Sequence, residues 1–204
     1  MPIEGFEAVL AAAQRGDERA LETIYRDLSP LVLGYLRSNG AREPEDLTSE
    51  VFVALVRNIS NFSGSQESFR SWVLTITHRR LIDEFRHRSR RPEDPALPDE
   101  VQARLEPDTA TAEAVALDGF SNQRVSDALS HLTDDQRAVV TLRILADVPI
   151  KDVAAILGKP ETAVKSLQHR ALASLARRID VTPDELPTED PLPSSIPRTR
   201  PSDH

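Results

Sequence analysis

The chain has no cysteine, and that absence removes several chemistries at once. Disulfides, cysteine-ligated zinc and thiol redox sensing are all excluded. Aromatic residues make up 4% of the 204 positions and there are seven glycines, too few of either for the close-packed turns and ring-rich strands of an all-β fold. No apolar run approaches the roughly 18–20 residues of a membrane span. The opening residues MPIEGFEAVLAAAQRGDE lack the basic start of a signal peptide, so the expected location is cytoplasmic, without membrane insertion. No Gly-rich phosphate loop is present, and His78, His87, His131 and His169 do not stand at metal-ligand spacing. Glu45, Asp46 and Glu50 are close enough to consider for Mg²⁺, but a helix N-terminus favours such residues without any ion. The expectation is a non-enzymatic protein with no cofactor and no metal.

What is present is helix-forming. Ala, Leu, Arg and Glu dominate, and the apolar positions recur at steps of three and four. Residues 3–15 read as a short helix ended by Gly16, with Asp17 placed to cap the next one over Glu18–Arg37. Pro30 is expected to kink or briefly break that second helix. A third starts near Pro44, with Leu47, Val51, Leu55, Val56 and Ile59 as its stripe. Asn61–Ser68 has loop chemistry, and a fourth helix runs from about Phe69 to Arg88. Thr133 and Gln136 form a capping-box pattern ahead of Val139, Val140, Leu142 and Ile144.

The net charge of −8 looks wrong for a nucleic-acid binder until it is partitioned. Residues 93–118 carry eight acids against Arg104, and residues 180–204 carry six against Arg198 and Arg200. Without those two segments the remainder is +3. Proline and acid dominate both segments, the composition of a linker and a disordered tail. The expected organisation is all-α: a helical domain over 1–91, a flexible acidic linker over 92–121, a second helical domain over 122–180 and a tail over 181–204.

Two basic helical surfaces stand out. The fourth helix carries Arg70, His78, Arg79, Arg80, Arg86, His87, Arg88, Arg90 and Arg91 beside Phe69 and Trp72, the mixture of cations and rings that holds single-stranded nucleic acid. Asp83 and Glu84 interrupt the run and can pair with the arginines. Ala146–Ile179 reads as helix, tight turn at Gly158, helix. The second of these helices bears Thr162, Lys165, Ser166, His169, Arg170 and Arg177 opposite an apolar stripe, as a major-groove helix does.

Three segments together resemble a known family. PEDLTSEVFVALVRNISNF (44–62), SFRSWVLTITHRRLIDEFRHRSRRP (68–92) and LTDDQRAVVTLRILADVPIKDVAAILGKPETAVKSLQHRALASL (132–175) are similar to segments of the sigma-70-type initiation factors of bacterial RNA polymerase, in the small two-domain extracytoplasmic-function (ECF) group. The resemblance implies a specificity subunit that binds core RNA polymerase and promoter DNA. It assigns Asp46, Leu47, Glu50, Val51 and Phe52 to the clamp helices of the largest polymerase subunit, with a second polymerase contact at the flap. It gives Asn61, Ser63, Phe69, Trp72, His78, Arg79, Asp83, Arg86 and Arg90 to the −10 element, with the Asn61–Ser68 loop holding a flipped base and Phe69 and Trp72 either supporting that loop or stacking on the strand. Thr162, Lys165, Ser166, His169 and Arg170 fall to the −35 element. It further implies a regulating partner of the anti-sigma type. Two departures stand against the family pattern, Ser49 where glutamine is usual and Leu167 where the recognition helix usually has arginine. The other readings open at this level are a helix-turn-helix regulator acting without polymerase and a polymerase-binding decoy.

Overall fold

The computed structural model describes residues 3–90, 125 and 127–179. The expected linker (92–121) and tail (181–204) lie outside the described residues. All the regular elements among the described residues are helical.

Helix α1 (Phe6–Gln14) buries Phe6, Leu10 and Ala13 on one side. Helix α2 (Glu18–Ser38) begins where the Asp17 carboxylate accepts the Ala20 amide at 2.8 Å, a cap that satisfies one of the orphan donors of the first turn. Pro30 does not break α2. Ile24, Leu28, Val32, Tyr35 and Leu36 bury one continuous face across it, and each such side chain contributes about 1.5–3 kcal/mol, enough in sum to offset the roughly 3 kcal/mol of an interior proline. Helix α3 (Pro44–Asn58) has Pro44 at its start and Glu45 and Asp46 in the first turn, and a single 3₁₀ turn, Ile59–Asn61, follows it. Helix α4 (Gln66–Arg90) starts three residues before the sequence reading placed it. The Ser65 hydroxyl accepts the Ser68 amide at 3.3 Å and so begins the helix early.

Residues 127–130 are helical and lead to Thr133, whose hydroxyl and the Gln136 side chain form the reciprocal capping box of helix α5 (Asp134–Val140). The chain then widens into a π-turn, Thr141–Leu145. Thr141 sits at the transition, its hydroxyl donating back to the Arg137 carbonyl at 2.7 Å, a bond that competes with the regular ladder. Ile144, expected inside, lies within this turn and is 60% exposed. Helix α6 (Ile150–Leu157) ends at Gly158, which adopts φ +62, the left-handed cap for which glycine carries no Cβ penalty. Helix α7 (Glu161–Ile179) completes the helix-turn-helix.

Packing runs in chain order through α1, α2, α3 and α4, then crosses to the second half: α6 lies on α4, and the π-turn lies on α2. One apolar cluster therefore spans both halves. Phe6, Leu36, Val51, Phe69 and Leu74 share it with Val139, Leu142, Val153, Ile156 and Val164. A smaller cluster of Leu129, Leu132, Val140 and Ala171 ties α5 to α7. No helix among the described residues is long and apolar enough to cross a membrane.

Candidate nucleic-acid interface

Helix α7 presents its polar residues as one surface. Thr162, Lys165, Ser166, His169 and Arg170 are all exposed, while Val164 and Ala171 are fully buried on the opposite side. Positions 162, 165, 166, 169 and 170 advance by three and four, which is why they share a face. Leu167, the departure from the family pattern, is half-buried and packs against the core. Leucine at this position exchanges a cation for packing on the inner flank of the helix and leaves the outer face intact.

Helix α4 divides its cations differently. Arg79, Asp83 and Arg86 are exposed, four and three residues apart on one side, and Arg86 lies 3.6 Å from Asp83. Both partners of that pair are solvent-exposed, so it contributes little to stability. His78 turns inward. The Tyr35 hydroxyl lies 2.9 Å from its Nδ1, and the two rings meet edge to face. Burial holds His78 below the ordinary histidine range, with Asp135 opposing that shift and Lys159 adding to it. Burial likewise pushes the Tyr35 phenol above its ordinary value. Arg90 is the last residue of α4.

The loop ahead of α4 stands on an aromatic platform. Asn61, Ser63, Gly64 and Ser65 are exposed, and beneath them Phe62, Phe69 and Trp72 lie with ring centroids 5.0–5.6 Å apart. Phe6 joins from α1 at 5.4 Å. Phe69 is 0% exposed and cannot offer its ring to a base in this conformation, and Trp72 is half-buried between its neighbours. Both rings pack beneath the loop. Gln14 fixes the platform from the side, its amide donating to the carbonyls of Ile59 at 3.0 Å and Phe62 at 2.8 Å. A Cβ at Gly64 would stand 3.3 Å from the Phe62 ring and from Ser68 Cβ, so the close approach of loop to platform needs a glycine there. Sequence reasoning missed Gln14, because nothing local marks a glutamine on α1 as the partner of carbonyls some 45 residues away.

On α3 the expected polymerase-facing residues separate. Asp46 and Glu50 are exposed, whereas Leu47, Val51 and Phe52 are buried in the core. The outer face continues instead through Ser49, Val53, Val56 and Arg57. Val56, placed in the apolar stripe by its spacing, is 48% exposed and Val53 50%, and Tyr25 of α2, also exposed, lies with its ring centroid 4.6 Å from that of Phe52. Arg37 pairs with Glu45 and holds its carboxyl below the ordinary range. Arg80 lies 3.3 Å from Glu50.

Two family patterns match the chain, sigma-70 region 2 over residues 24–91 and sigma-70 region 4 over residues 122–175. The ECF RNA polymerase sigma factor SigK of Mycobacterium tuberculosis is 30% identical over 155 residues, covering 74% of this chain and 79% of the relative. The chain belongs to the ECF RNA polymerase sigma factors. Another ECF sigma factor, BldN of Streptomyces coelicolor, is 34% identical over 167 residues and 81% of this chain, which spans 62% of that relative's length. The fold is shared with two solved structures. CnrH in complex with the cytosolic domain of CnrY has a TM-score of 0.59 at 22% identity, covering 85% of this chain and 96% of the other. The sigma factor RpoE in complex with the anti-sigma factor NepR from Bartonella quintana has a TM-score of 0.63 at 21% identity, covering 78% and 96%.

Proposed function

We propose that this ECF sigma factor binds core RNA polymerase, recognises a two-part promoter and opens its downstream element, acting as a dissociable specificity subunit and not as an enzyme. The observation that carries the reading is the pairing of region 2 and region 4, in that order, with a cationic helix face in each. The five exposed residues of α7 read the −35 major groove, where Lys165 and Arg170 supply charge-assisted bonds to bases and phosphates. The loop at Asn61–Ser65 takes a flipped −10 base, and Arg79 and Arg86 of α4 follow the phosphates of the melted strand.

The polymerase-facing surface is the outer side of α3. Asp46 and Glu50 provide the carboxylates, and Val53 and Val56, with Tyr25 of α2, provide the apolar contact area. A charged rim around an exposed apolar patch suits docking on a basic helical partner. The exposed pair Ile144 and Leu145 gives the second half its own apolar contact for the polymerase flap. The region 2 and region 4 matches support a division into domains over 1–91 and 122–180, with 92–121 as connector. A cytoplasmic location follows from this role, and so does control by an anti-sigma partner, as NepR is for RpoE in the solved Bartonella quintana complex. Because the chain has no cysteine, any redox signal has to be sensed by that partner.

Co-purification with core polymerase, followed by permanganate reactivity of promoter thymines, tests the reading. Polymerase binding with reactive thymines near the −10 position is the expected result. Tight duplex binding without polymerase association would return the chain to the class of free-standing helix-turn-helix regulators.

A further inference from the structure

The loop ahead of α4 is held from outside the segment that matches sigma-70 region 2. That match begins at residue 24, and helix α1 lies wholly ahead of it. Its last residue, Gln14, is half-buried and turns its amide onto the 3₁₀ turn Ile59–Asn61. The two carbonyls it reaches stand at the start of that turn, at Ile59, and at the residue that leaves it, Phe62. The Ile59 carbonyl also accepts the Phe62 amide at 3.1 Å, so it keeps a partner without Gln14. Phe62 is already extended, with φ −84 and ψ 136. Its carbonyl stands outside the turn, and the bond from Gln14 sets the direction in which the chain departs toward Ser63. At the far end of the loop the Ser65 hydroxyl accepts the Ser68 amide and donates to Glu67 Oε2 at 2.7 Å. Only Ser63 and Gly64 separate the two anchors.

We propose that Gln14 is a positioning residue for promoter recognition, one that sets the shape of the Asn61–Ser65 loop and so the choice of base at the −10 element. The inference rests on the promoter reading above. Three observations carry it. Two carbonyl oxygens converge on one side-chain atom, so that atom has to donate twice, and an amide nitrogen does so. A carboxylate in its place would set acceptor against acceptor, and an apolar chain would take the donor away from the Phe62 carbonyl. The loop also has no slack to absorb a shift, because Gly64 already approaches the Phe62 ring and Ser68 as closely as a glycine allows. Finally, α1 is itself anchored to the platform, with Phe6 against Phe69 at its other end and Leu10 and Ala13 buried between. A shift of about 1 Å in a site of this kind is enough to cost a large factor in productive geometry.

Run-off transcription tests this. A genomic promoter that the wild-type chain transcribes with core polymerase is varied through every base at each −10 position in turn. The same templates are read with Gln14→Met and Gln14→Glu in the full-length chain. The wild-type chain is expected to prefer one base at the flipped position by about tenfold or more. Gln14→Met should cut that preference by at least about fivefold, and Gln14→Glu should cut it further. Co-purification with core polymerase and −35 duplex binding by the complex should stay as in the wild type. A purely structural role would lower the yield from every −10 template by the same factor, and that outcome overturns the proposal. So does a variant that keeps the wild-type base preference. Gln14→Asn, which draws the amide back by one methylene, gives the same readout through a milder change should Gln14→Met disturb folding. If the wild-type chain yields no transcript from any genomic promoter, the promoter reading falls and this inference with it. If the wild-type chain transcribes and Gln14→Met discriminates equally well, only the role of Gln14 falls.

Discussion

Helices α4 and α7 both set an apolar stripe against a basic face, and in the sequence both read as nucleic-acid surfaces. The structure separates them. On α7 the five candidate DNA contacts point to solvent, with their backs on a buried Val164 and Ala171. On α4, His78 is drawn inward by Tyr35, Phe69 is sealed in the core, and the flank from Ser71 to Leu81 meets α6. The candidate contacts of α4 therefore divide, with Arg79, Asp83 and Arg86 exposed and His78 and Phe69 turned inward, whereas those of α7 are all displayed.

The comparison can be broken at its firmest point first. Phe69→Ala removes a ring that is wholly buried among Phe6, Phe62 and Trp72, and a loss of about 3–5 kcal/mol is expected. Thermal or denaturant unfolding measures it. A loss below about 1 kcal/mol would mean that the ring belongs to the DNA surface and not to the core. On the displayed helix the opposite pattern is expected. Lys165→Ala and Arg170→Ala each leave the unfolding midpoint nearly unchanged, and each weakens −35 duplex binding by the polymerase complex about tenfold, within the 1–3 kcal/mol of a good base or phosphate contact. A stability loss in either variant would place these side chains inside the fold.

The seam at which α6 closes on α4 sharpens the comparison at intermediate size. The Ser71 hydroxyl donates there to Asp152 Oδ2 at 2.8 Å. Asp152→Ala leaves that partly buried hydroxyl without its acceptor, and a loss of about 1–3 kcal/mol of closed-state stability is expected. It would be read as faster amide exchange along α6 at constant exchange in α1–α3. Uniform exchange throughout would argue against a separable seam. Titration gives a smaller effect on the same contact. His78 in the closed form is held below the ordinary histidine pKa of about 6.5. The groups around it are Tyr35 of α2, Asp134 and Asp135 of α5, Lys159 of the turn, and Arg79, Asp83 and Arg86 of its own helix. When the halves part, the share of that burial supplied by the second half is relieved while the Tyr35 contact stays in place, so the open form binds a proton more readily than the closed form. The contribution of neutral His78 to closure is therefore complete above about pH 6.5 and declines as pH falls through that value toward the depressed one. The yield of a bis-methanethiosulfonate crosslink across the seam, between Ser71→Cys and Asp152→Cys, should drop on acidification, and His78→Phe should flatten the profile. An unchanged profile in that variant would assign the pH effect to another group.

The smallest effect lies at Asp147, which has φ +49 in the turn before α6. Glycine adopts that conformation without the Cβ penalty, so Asp147→Gly should stabilise by up to about 1 kcal/mol, measured as a rise in the unfolding midpoint. A fall would show that the aspartate side chain compensates for its backbone.

Much of the fold was legible because it is written in local chemistry. Asp17, Pro44, Thr133 and Gly158 mark helix ends by hydrogen-bonding or conformational rules that involve only neighbouring residues, and each is found in that role. The π-turn at Thr141–Leu145 was not legible, because apolar spacing continues through it while the helix changes pitch. The exposed face of α7 followed from its period. The faces of α3 did not separate as cleanly, since Leu47, Val51 and Phe52 lie among the carboxylates in sequence and only packing shows them turned inward. Long-range contacts were invisible for a simple physical reason. Gln14 with Phe62, Asn39 with Thr141 and Ser71 with Asp152 are common polar residues whose partners are set by the fold as a whole.

Run-off transcription on a pool of genomic promoter fragments, with the purified chain and core polymerase, tests the central claim most directly. The account predicts transcripts that require this chain and start downstream of a shared pair of −35 and −10 sequences, with the −35 preference altered when Lys165 or Arg170 is replaced. Transcripts with no shared upstream sequence, or none beyond those of core polymerase alone, would contradict it.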